Sequence, residues 1–185
     1  MCYNACGGNL DMKEMWDLYD RNRKMLDRKA ERGTKLSDDE YHLVANAWIR
    51  NKEGKFLISQ RVEWKTHPLM WECTGGSVLM GENTYEGAIR EAKEELGVDI
   101  SNEPYAFVGS TTRYFENCPD ILDVYIFEHD VPIENVIIQK EEVNAVKWMT
   151  KEEILEIYNQ GNFETTKFIF EVLNFDRKLN NPKNT

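Results

Sequence analysis

Three glutamates with helical spacing are the first sign of chemistry in this sequence. Glu91, Glu94 and Glu95 stand at positions i, i+3 and i+4, so their side chains project from one face of a helix. Like charges at this spacing repel each other. A hard divalent cation removes the repulsion, because Mg²⁺ prefers oxygen ligands together with substrate phosphate. The trio predicts a metal site that would neutralise a phosphate substrate and generate a nucleophile; the alternative is a solvated, Glu-rich helix face.

The residues around the glutamates define the helix that positions them. Asn83 is suited to the N-cap, and Glu86 follows at the third helical position, which gives a capping-box pattern. Gly97 is a typical helix stop. The predicted helix therefore runs from Thr84 to Leu96. Its apolar side chains form one stripe that would face the core: Tyr85, Ala88, Ile89, Ala92 and Leu96.

Neighbouring residues are suited to holding the glutamates in place. Arg90 lies beside the acidic face, where its planar guanidinium would pair with Glu82 or Glu94 and fix their orientation. Gly75 and Gly76 allow a tight turn that brings a backbone carbonyl close to a metal ion. These residues therefore extend the predicted metal site beyond the helix.

The spacing of these residues resembles the Nudix box, G-x5-E-x7-R-E-U-x-E-E-x-G-U, and matches it at every fixed position. The matching segment, called the box below, runs from Gly76 to Val98, with the small residue Ala92 at one aliphatic position. Such a match arises by chance on the order of once in a million for a chain of this length. The region from about Tyr41 to Trp148 looks like one whole Nudix domain.

The resemblance implies a set of metal ligands and a reaction. In Nudix proteins the box forms a loop–helix–loop that holds a divalent metal ion, Mg²⁺ or Mn²⁺. The implied ligands are the carbonyl of Gly76 and the carboxylates of Glu91, Glu94 and Glu95. Glu82 and Arg90 would organise them. Family members typically cleave the diphosphate bond of a nucleoside diphosphate linked to another group, by attack of water at phosphorus, and the expected substrate is therefore a small diphosphate.

Residues outside the box supply further candidates. By resemblance to Nudix enzymes with a glutamate base on a later loop, Glu142 is the preferred general base and Glu141 the second choice. An exposed acidic loop is the alternative, and Glu94 or Glu95 would then act as the base. Arg61 and Lys65 follow a predicted strand and would bind phosphate, although a solvated basic pair is an equally good interpretation.

The flanks of the box resemble Nudix proteins related to type I isopentenyl-diphosphate isomerase, in segments 16–20, 40–43 and 70–72. His42 matches an isomerase histidine, but its expected partner seven residues earlier is Lys35. At the position of the isomerase's catalytic cysteine stands Gly75, and its metal-binding histidine is replaced by Ser77. These departures favour hydrolysis, with isomerisation or a non-catalytic nucleotide sensor as the alternatives.

Hydrophobic patterning predicts an α+β fold, a mixed β-sheet sandwiched between α-helices. Residues 1–12 are expected to be a flexible N-terminus and residues 13–180 a single domain. A loop is expected over Val62–Gly76. The predicted strands are two within Trp16–Arg32, then Tyr41–Ile49, Lys55–Arg61, Tyr105–Phe115, Ile121–Glu128 and Ala145–Met149. Two later helices are expected: Lys151–Asn159, capped by Thr150, and Thr165–Arg177.

Charge and composition limit the partners. With 23 basic and 33 acidic residues, the net charge of −10 repels nucleic-acid backbone and anionic lipid, so neither a nucleic-acid polymer nor a membrane is an expected partner. The absence of a signal-peptide pattern and the scattered cysteines predict a cytoplasmic protein. Cys2 and Cys6 have no second Cys or His pair, so structural zinc is not expected. Exposed β-edges near Trp16 would allow a homodimer.

Overall fold

The computed structural model describes residues 13–164 and 167–182. The predicted flexible segment 1–12, with Cys2 and Cys6, lies outside the described residues. The strands are β1 Met15–Tyr19, β2 Met25–Glu31, β3 His42–Arg50, β4 Phe56–Arg61, β5 Trp71–Glu72, β6 Thr74–Ser77, β7 Tyr105–Arg113, β8 Asp120–Glu128 and β9 Val143–Met149. The helices are α1 Thr84–Leu96, α2 Lys151–Asn159 and α3 Ile169–Leu173.

Seven of the strands form a mixed sheet whose centre is β3. Its main order is β5-β4-β3-β8-β7, β3 and β8 are parallel, and β9 pairs with β4. On its other edge β3 is shared between two partners. Its middle, Val44–Ala47, pairs with β6, and its end, Ile49–Arg50, pairs with β4. The first residues of the box therefore belong to the sheet itself.

Each face of this sheet is covered by helix, because alternate side chains of every strand point to opposite sides. One face packs Ala45, Ala47 and Ile49 of β3 against α1. The other packs Val44 and Trp48 of the same strand against residues of α2 and α3. This arrangement confirms the predicted α+β fold, with a mixed sheet between helices.

The N-terminal hairpin of β1 and β2 is a separate two-stranded sheet that docks on the end of β3. The indole of Trp16 stacks on the imidazole of His42 with ring centroids 4.1 Å apart. Tyr19 exchanges backbone hydrogen bonds with Tyr41. Since Trp16 is buried within its own chain, it offers no apolar contact to a second copy, and a homodimer remains only a prediction.

Two predicted element boundaries are wrong. Val62–Gly76 is not one loop, because it contains β5 and the start of β6. The sequence does not reveal these strands, since β5 has only two residues and β6 contains a Gly-Gly pair, so neither shows an alternation of apolar and polar side chains. The last helix spans only Ile169–Leu173, and the predicted start, Thr165, lies outside the described residues. This helix ends early because Asn174 leaves helical geometry and its side-chain amide donates to the Phe170 carbonyl. In the described part of the chain, no helix is long and apolar enough to cross a membrane.

Candidate active site

Strand β6 places Gly76 directly beneath the acidic helix. Its backbone pairs with Ala45 in the middle of the sheet. A Cβ atom at Gly76 would lie only 2.5 Å from Oε1 of Glu91 and 2.6 Å from its Cδ. Only glycine therefore lets the Glu91 carboxylate lie against the backbone at this point.

The helix that carries the glutamates begins and ends where the sequence predicts. The Asn83 side chain accepts from the backbone of Glu86, and the Glu86 carboxylate accepts from the backbone of Asn83, which completes the capping box. Gly97 ends the helix in the left-handed conformation with φ of 67°. Ala88, Ala92 and Leu96 are fully buried, so the predicted apolar stripe does face the core.

Of the three predicted glutamate ligands, Glu95 is buried and the side chain of Glu91 is only 15% exposed. Glu95 is 4% exposed and accepts a 2.5 Å hydrogen bond from Oγ1 of Thr74. Burial, reinforced by the charge of Glu91, raises the pKa of Glu95 to about 8. Burial also raises the pKa of Glu91 to about 7, against the lowering effect of Arg90. Binding of a cation would stabilise two neighbouring carboxylates of this kind.

Glu94 differs from its two neighbours. Its side chain is 54% exposed, and its Oε2 accepts from Arg90 at 2.9 Å. The predicted acidic face is therefore divided into a buried pair and an exposed third carboxylate. Within residues 13–164 and 167–182, no three acidic, His or Cys side chains already converge as a metal cage. The donors are nevertheless all oxygens, a set that fits a hard divalent cation.

Arg90 connects the loop, the strand and the helix of the box. Its Nε donates to Glu82 at 2.9 Å, and its Nη1 donates to Glu91 at 2.8 Å as well as to Glu94. Nη2 donates to the backbone carbonyl of Ser77 at 2.8 Å. Glu82 in turn accepts from the backbone of Leu79 at 3.0 Å. Arg90 is thus positioned to orient the other residues, and it pairs with both of its expected partners.

Lys65 and Glu142 join the site from two loops outside the box. The Lys65 ammonium group lies 2.7 Å from Oε2 of Glu142 and 3.9 Å from Oε1 of Glu95. The Lys65 side chain is only 10% exposed, so this is not a solvated lysine. The structure therefore brings Lys65 and Glu142 to the buried carboxylates, whereas the side chain of Glu141 has no described contact with them.

Arg61 has a different environment from Lys65. Its Nη1 donates to both oxygens of Glu72, at 2.9 and 2.7 Å, and its Nε donates to the Thr66 carbonyl at 2.7 Å. This side chain is 14% exposed. Arg61 thus stabilises the loop between β4 and β5. Its guanidinium group donates to protein oxygens, whereas the sequence analysis expected it to bind phosphate.

Comparison with known proteins decides the family. A model of the NUDIX domain matches residues 40–169 of this chain. The chain belongs to the Nudix family. An uncharacterized Nudix hydrolase of Listeria monocytogenes is 34% identical over 165 residues, covering 87% of this chain and 94% of the relative. The CTP pyrophosphohydrolase of Escherichia coli is 31% identical over 110 residues, covering 60% of this chain and 77% of the relative.

A solved structure agrees with this assignment at the level of the fold. A Deinococcus radiodurans protein superposes with a TM-score of 0.70 at 23% identity, covering 89% of this chain and all of that one. The protein is a Nudix hydrolase and acts on diphosphate bonds.

The positions that distinguish a Nudix hydrolase from the isomerase branch are visible in the structure. Gly75 lies against the backbone of Ala45, where a Cβ atom would overlap the carbonyl oxygen. His42 is buried against Trp16, and burial lowers the pKa of its imidazole to about 4. Cys73 is buried, which raises the pKa of its thiol well above the usual value. An exposed nucleophilic thiol is absent from these positions.

Sequence reasoning missed one residue that touches the buried carboxylates. Thr74 binds Glu95 from β6, two residues before Gly76 and therefore on the same face of that strand. This period-two relationship would have identified it if β6 had been recognised as a strand. The ring of Trp71 packs on the core of α2 and α3, with the Lys147 ammonium group 5.1 Å above it.

Proposed function

We propose that this Nudix hydrolase uses Mg²⁺, or Mn²⁺, to cleave the diphosphate bond of a nucleoside diphosphate linked to a further group. The observation that supports this proposal is the carboxylate of Glu91 against the bare backbone of Gly76, with the buried carboxylate of Glu95 on the next turn of the same helix face. Such a pair is electrostatically unfavourable without a cation. A carboxylate pair together with substrate phosphate is a usual environment of Mg²⁺.

The residues that would hold the metal ion are the Gly76 carbonyl, Glu91 and Glu95. Glu94 would join them by rotating away from Arg90, which its exposure permits. When bound, the ion supplies neutralisation of the diphosphate and lowers the pKa of a water molecule. Divalent metal use is general among Nudix hydrolases.

Glu142 is the proposed general base. It is partly buried, and Lys65 fixes its carboxylate near Glu95. In the proposed reaction, water attacks one phosphorus of the diphosphate, and Glu142 accepts a proton from that water. The bond from this phosphorus to the bridging oxygen then breaks, and the second phosphate leaves. Arg90 orients Glu82 and Glu91 throughout, and Lys65 adds positive charge beside the phosphates.

The nucleoside part of the proposal is supported by a relative. The Escherichia coli enzyme named CTP pyrophosphohydrolase is 31% identical over 110 residues. An acidic protein requires local positive charge to hold a phosphate substrate. Lys65 and a metal ion would supply it here, which limits the anionic part of the substrate to a compact group such as a diphosphate.

The decisive experiment is a metal-dependent substrate panel. Nucleoside diphosphates, dinucleoside diphosphates, nucleoside diphosphate sugars and isopentenyl diphosphate are incubated with and without Mg²⁺ or Mn²⁺, and released phosphate, nucleoside monophosphate and shifted double bonds are measured. The expected result is metal-dependent cleavage of a nucleoside substrate. Double-bond migration without hydrolysis would establish the isomerase alternative, and nucleotide binding without turnover would establish a sensor.

Two matched variants assign the base in the same assay. Glu142→Gln is expected to lower kcat about 100-fold or more, the usual contribution of a positioned base. Glu141→Gln changes the neighbouring side chain and is expected to keep near-normal kcat. Equal loss in both variants, or in neither, would contradict the role of Glu142.

A further inference from the structure

Trp64 is an exposed aromatic side chain beside the proposed diphosphate site. It is 65% exposed, whereas Trp16 and Trp48 of the same chain are 3% and 1% exposed. Leaving an indole in water forgoes the large stabilisation that its burial normally gives. The ring is nevertheless held in place, because its Nε1–H donates a 3.1 Å hydrogen bond to the Glu141 carbonyl.

The backbone around Trp64 is also fixed relative to the site. The amide of Val62 donates to the Glu142 carbonyl at 3.4 Å, and the amide of Lys65 donates to the Val62 carbonyl at 3.4 Å. The next side chain, Lys65, reaches Glu142 at 2.7 Å. Trp64 and Lys65 are therefore both bound to the segment Glu141–Glu142, the indole through its N–H and the ammonium group through the Glu142 carboxylate.

The surroundings of Trp64 select the kind of group that would cover it. Glu63 and Glu141 flank it and are exposed, so a phosphate on the indole would be repelled. A neutral, planar ring would instead gain stacking on the π face. The single N–H of the indole is already used by Glu141, which leaves the ring face rather than a hydrogen-bonding edge for recognition.

We propose that Trp64 is the stacking platform for the base of a nucleotide whose diphosphate binds beside Lys65 and the box glutamates. This inference rests on the proposed function and extends it to a specificity-determining residue. Recognition through a ring face tolerates every base, because each base has a π surface. The enzyme accordingly discriminates weakly among different bases, but strongly between substrates that carry a base and substrates that lack a base.

The test uses two non-hydrolysable probes that differ only in the nucleoside. The probes are α,β-methylene-ADP and methylenediphosphonate, each titrated calorimetrically with Mg²⁺ into the full chain. Trp64→Leu keeps an apolar side chain but removes the π face, and Trp64→Phe keeps a smaller π face. Trp71→Phe serves as the matched control, since it changes another partly exposed tryptophan that packs on the opposite face of the sheet.

Stacking of one base on an aromatic ring corresponds to about 10- to 100-fold in affinity. Trp64→Leu is expected to lower the affinity for α,β-methylene-ADP by that factor and to leave the affinity for methylenediphosphonate unchanged. Trp64→Phe should have an intermediate affinity for α,β-methylene-ADP, and Trp71→Phe should bind both probes like the wild type. Equal weakening of both probes, or of neither, would overturn the role of Trp64 while the proposed function stands. If neither probe binds the wild type, the proposed function fails as well.

Discussion

The Lys65 ammonium group lies 2.7 Å from the carboxylate of Glu142, and the same group is 3.9 Å from Glu95. A residue from the loop after β4 thus separates two acidic side chains that would otherwise repel each other. Because Lys65 is only 10% exposed, solvent screens this arrangement weakly. The site consequently depends on a contact between segments that lie far apart in the sequence.

Substitution of Lys65 tests this arrangement. Lys65→Met keeps the aliphatic stem but removes the charge, so Glu142 loses its partner and moves away from Glu95. We expect kcat to fall about 10- to 100-fold, which is part of the usual contribution of a positioned base. Steady-state kinetics at saturating substrate measure this effect, and Lys65→Arg should recover most of the loss. An unchanged kcat in Lys65→Met would contradict the proposed positioning.

A methyl group at Gly76 is expected to disrupt metal binding specifically. The Cβ atom of Gly76→Ala would lie 2.5 Å from Glu91 Oε1 and would force this carboxylate away from the backbone. Magnesium affinity should therefore fall at least about tenfold, as expected when a carboxylate ligand is displaced. The measurement is a calorimetric Mg²⁺ titration, with circular dichroism to confirm folding.

The control for this substitution is Gly87→Ala, one turn before Glu91 on α1. There a Cβ atom would meet a Val78 methyl group at 3.0 Å, a contact that a small side-chain shift relieves. Magnesium affinity should be unchanged even if the melting temperature moves. Equal losses of affinity in Gly76→Ala and Gly87→Ala would show that the effect is general to the box and does not arise from Glu91.

The parts of the site that could be predicted are those fixed by local interactions. Asn83 and Gly97 determine the ends of α1 within one turn of the chain, so the position of every box glutamate on the helix followed. The different exposure of Glu94 and Glu95 did not follow, because it depends on how β6 packs against the helix. Strand β5 is two residues long, too short for any periodic pattern.

Burial of a neutral histidine predicts loss of stability in acid. Burial lowers the pKa of His42 to about 4, with further lowering from the charges of Arg113 and Arg32, against about 6.5 in the unfolded chain. Between pH 6.5 and 4 the unfolded state binds more protons, so the free energy of unfolding decreases as pH falls through this window. The expected contribution is about 3 to 4 kcal/mol, at about 1.4 kcal/mol per pKa unit.

The variant that isolates this effect is His42→Phe, which keeps a ring stacked on Trp16 and removes the titratable group. It also removes Nδ1, a buried nitrogen without a hydrogen-bond partner. Urea unfolding is measured from pH 7 to pH 4 for both proteins. The slope of stability against pH should be shallower in the variant, whatever its absolute stability. Identical slopes would assign the acid sensitivity to other groups.

An ion pair between Arg23 and Asp123 also links the N-terminal hairpin to the sheet. Arg23, at the turn between β1 and β2, donates to both oxygens of Asp123 at 2.7 and 2.6 Å. Asp123 is 2% exposed and also accepts from Thr84 at 2.6 Å. The hairpin is therefore linked to the first residue of α1. A contact across 100 residues could not be predicted from local sequence.

Removing Arg23 should leave a buried carboxylate without its cation. Arg23→Met is expected to destabilise the fold by about 2 to 3 kcal/mol, less than for a fully buried pair because Arg23 is 39% exposed. Asp123→Asn in the Arg23→Met background removes the uncompensated charge and should recover part of the loss. Urea unfolding of the four proteins in this double-mutant cycle gives the coupling energy. A coupling energy near zero would mean that the hairpin docks through Trp16 and Tyr19, with Arg23 contributing nothing measurable.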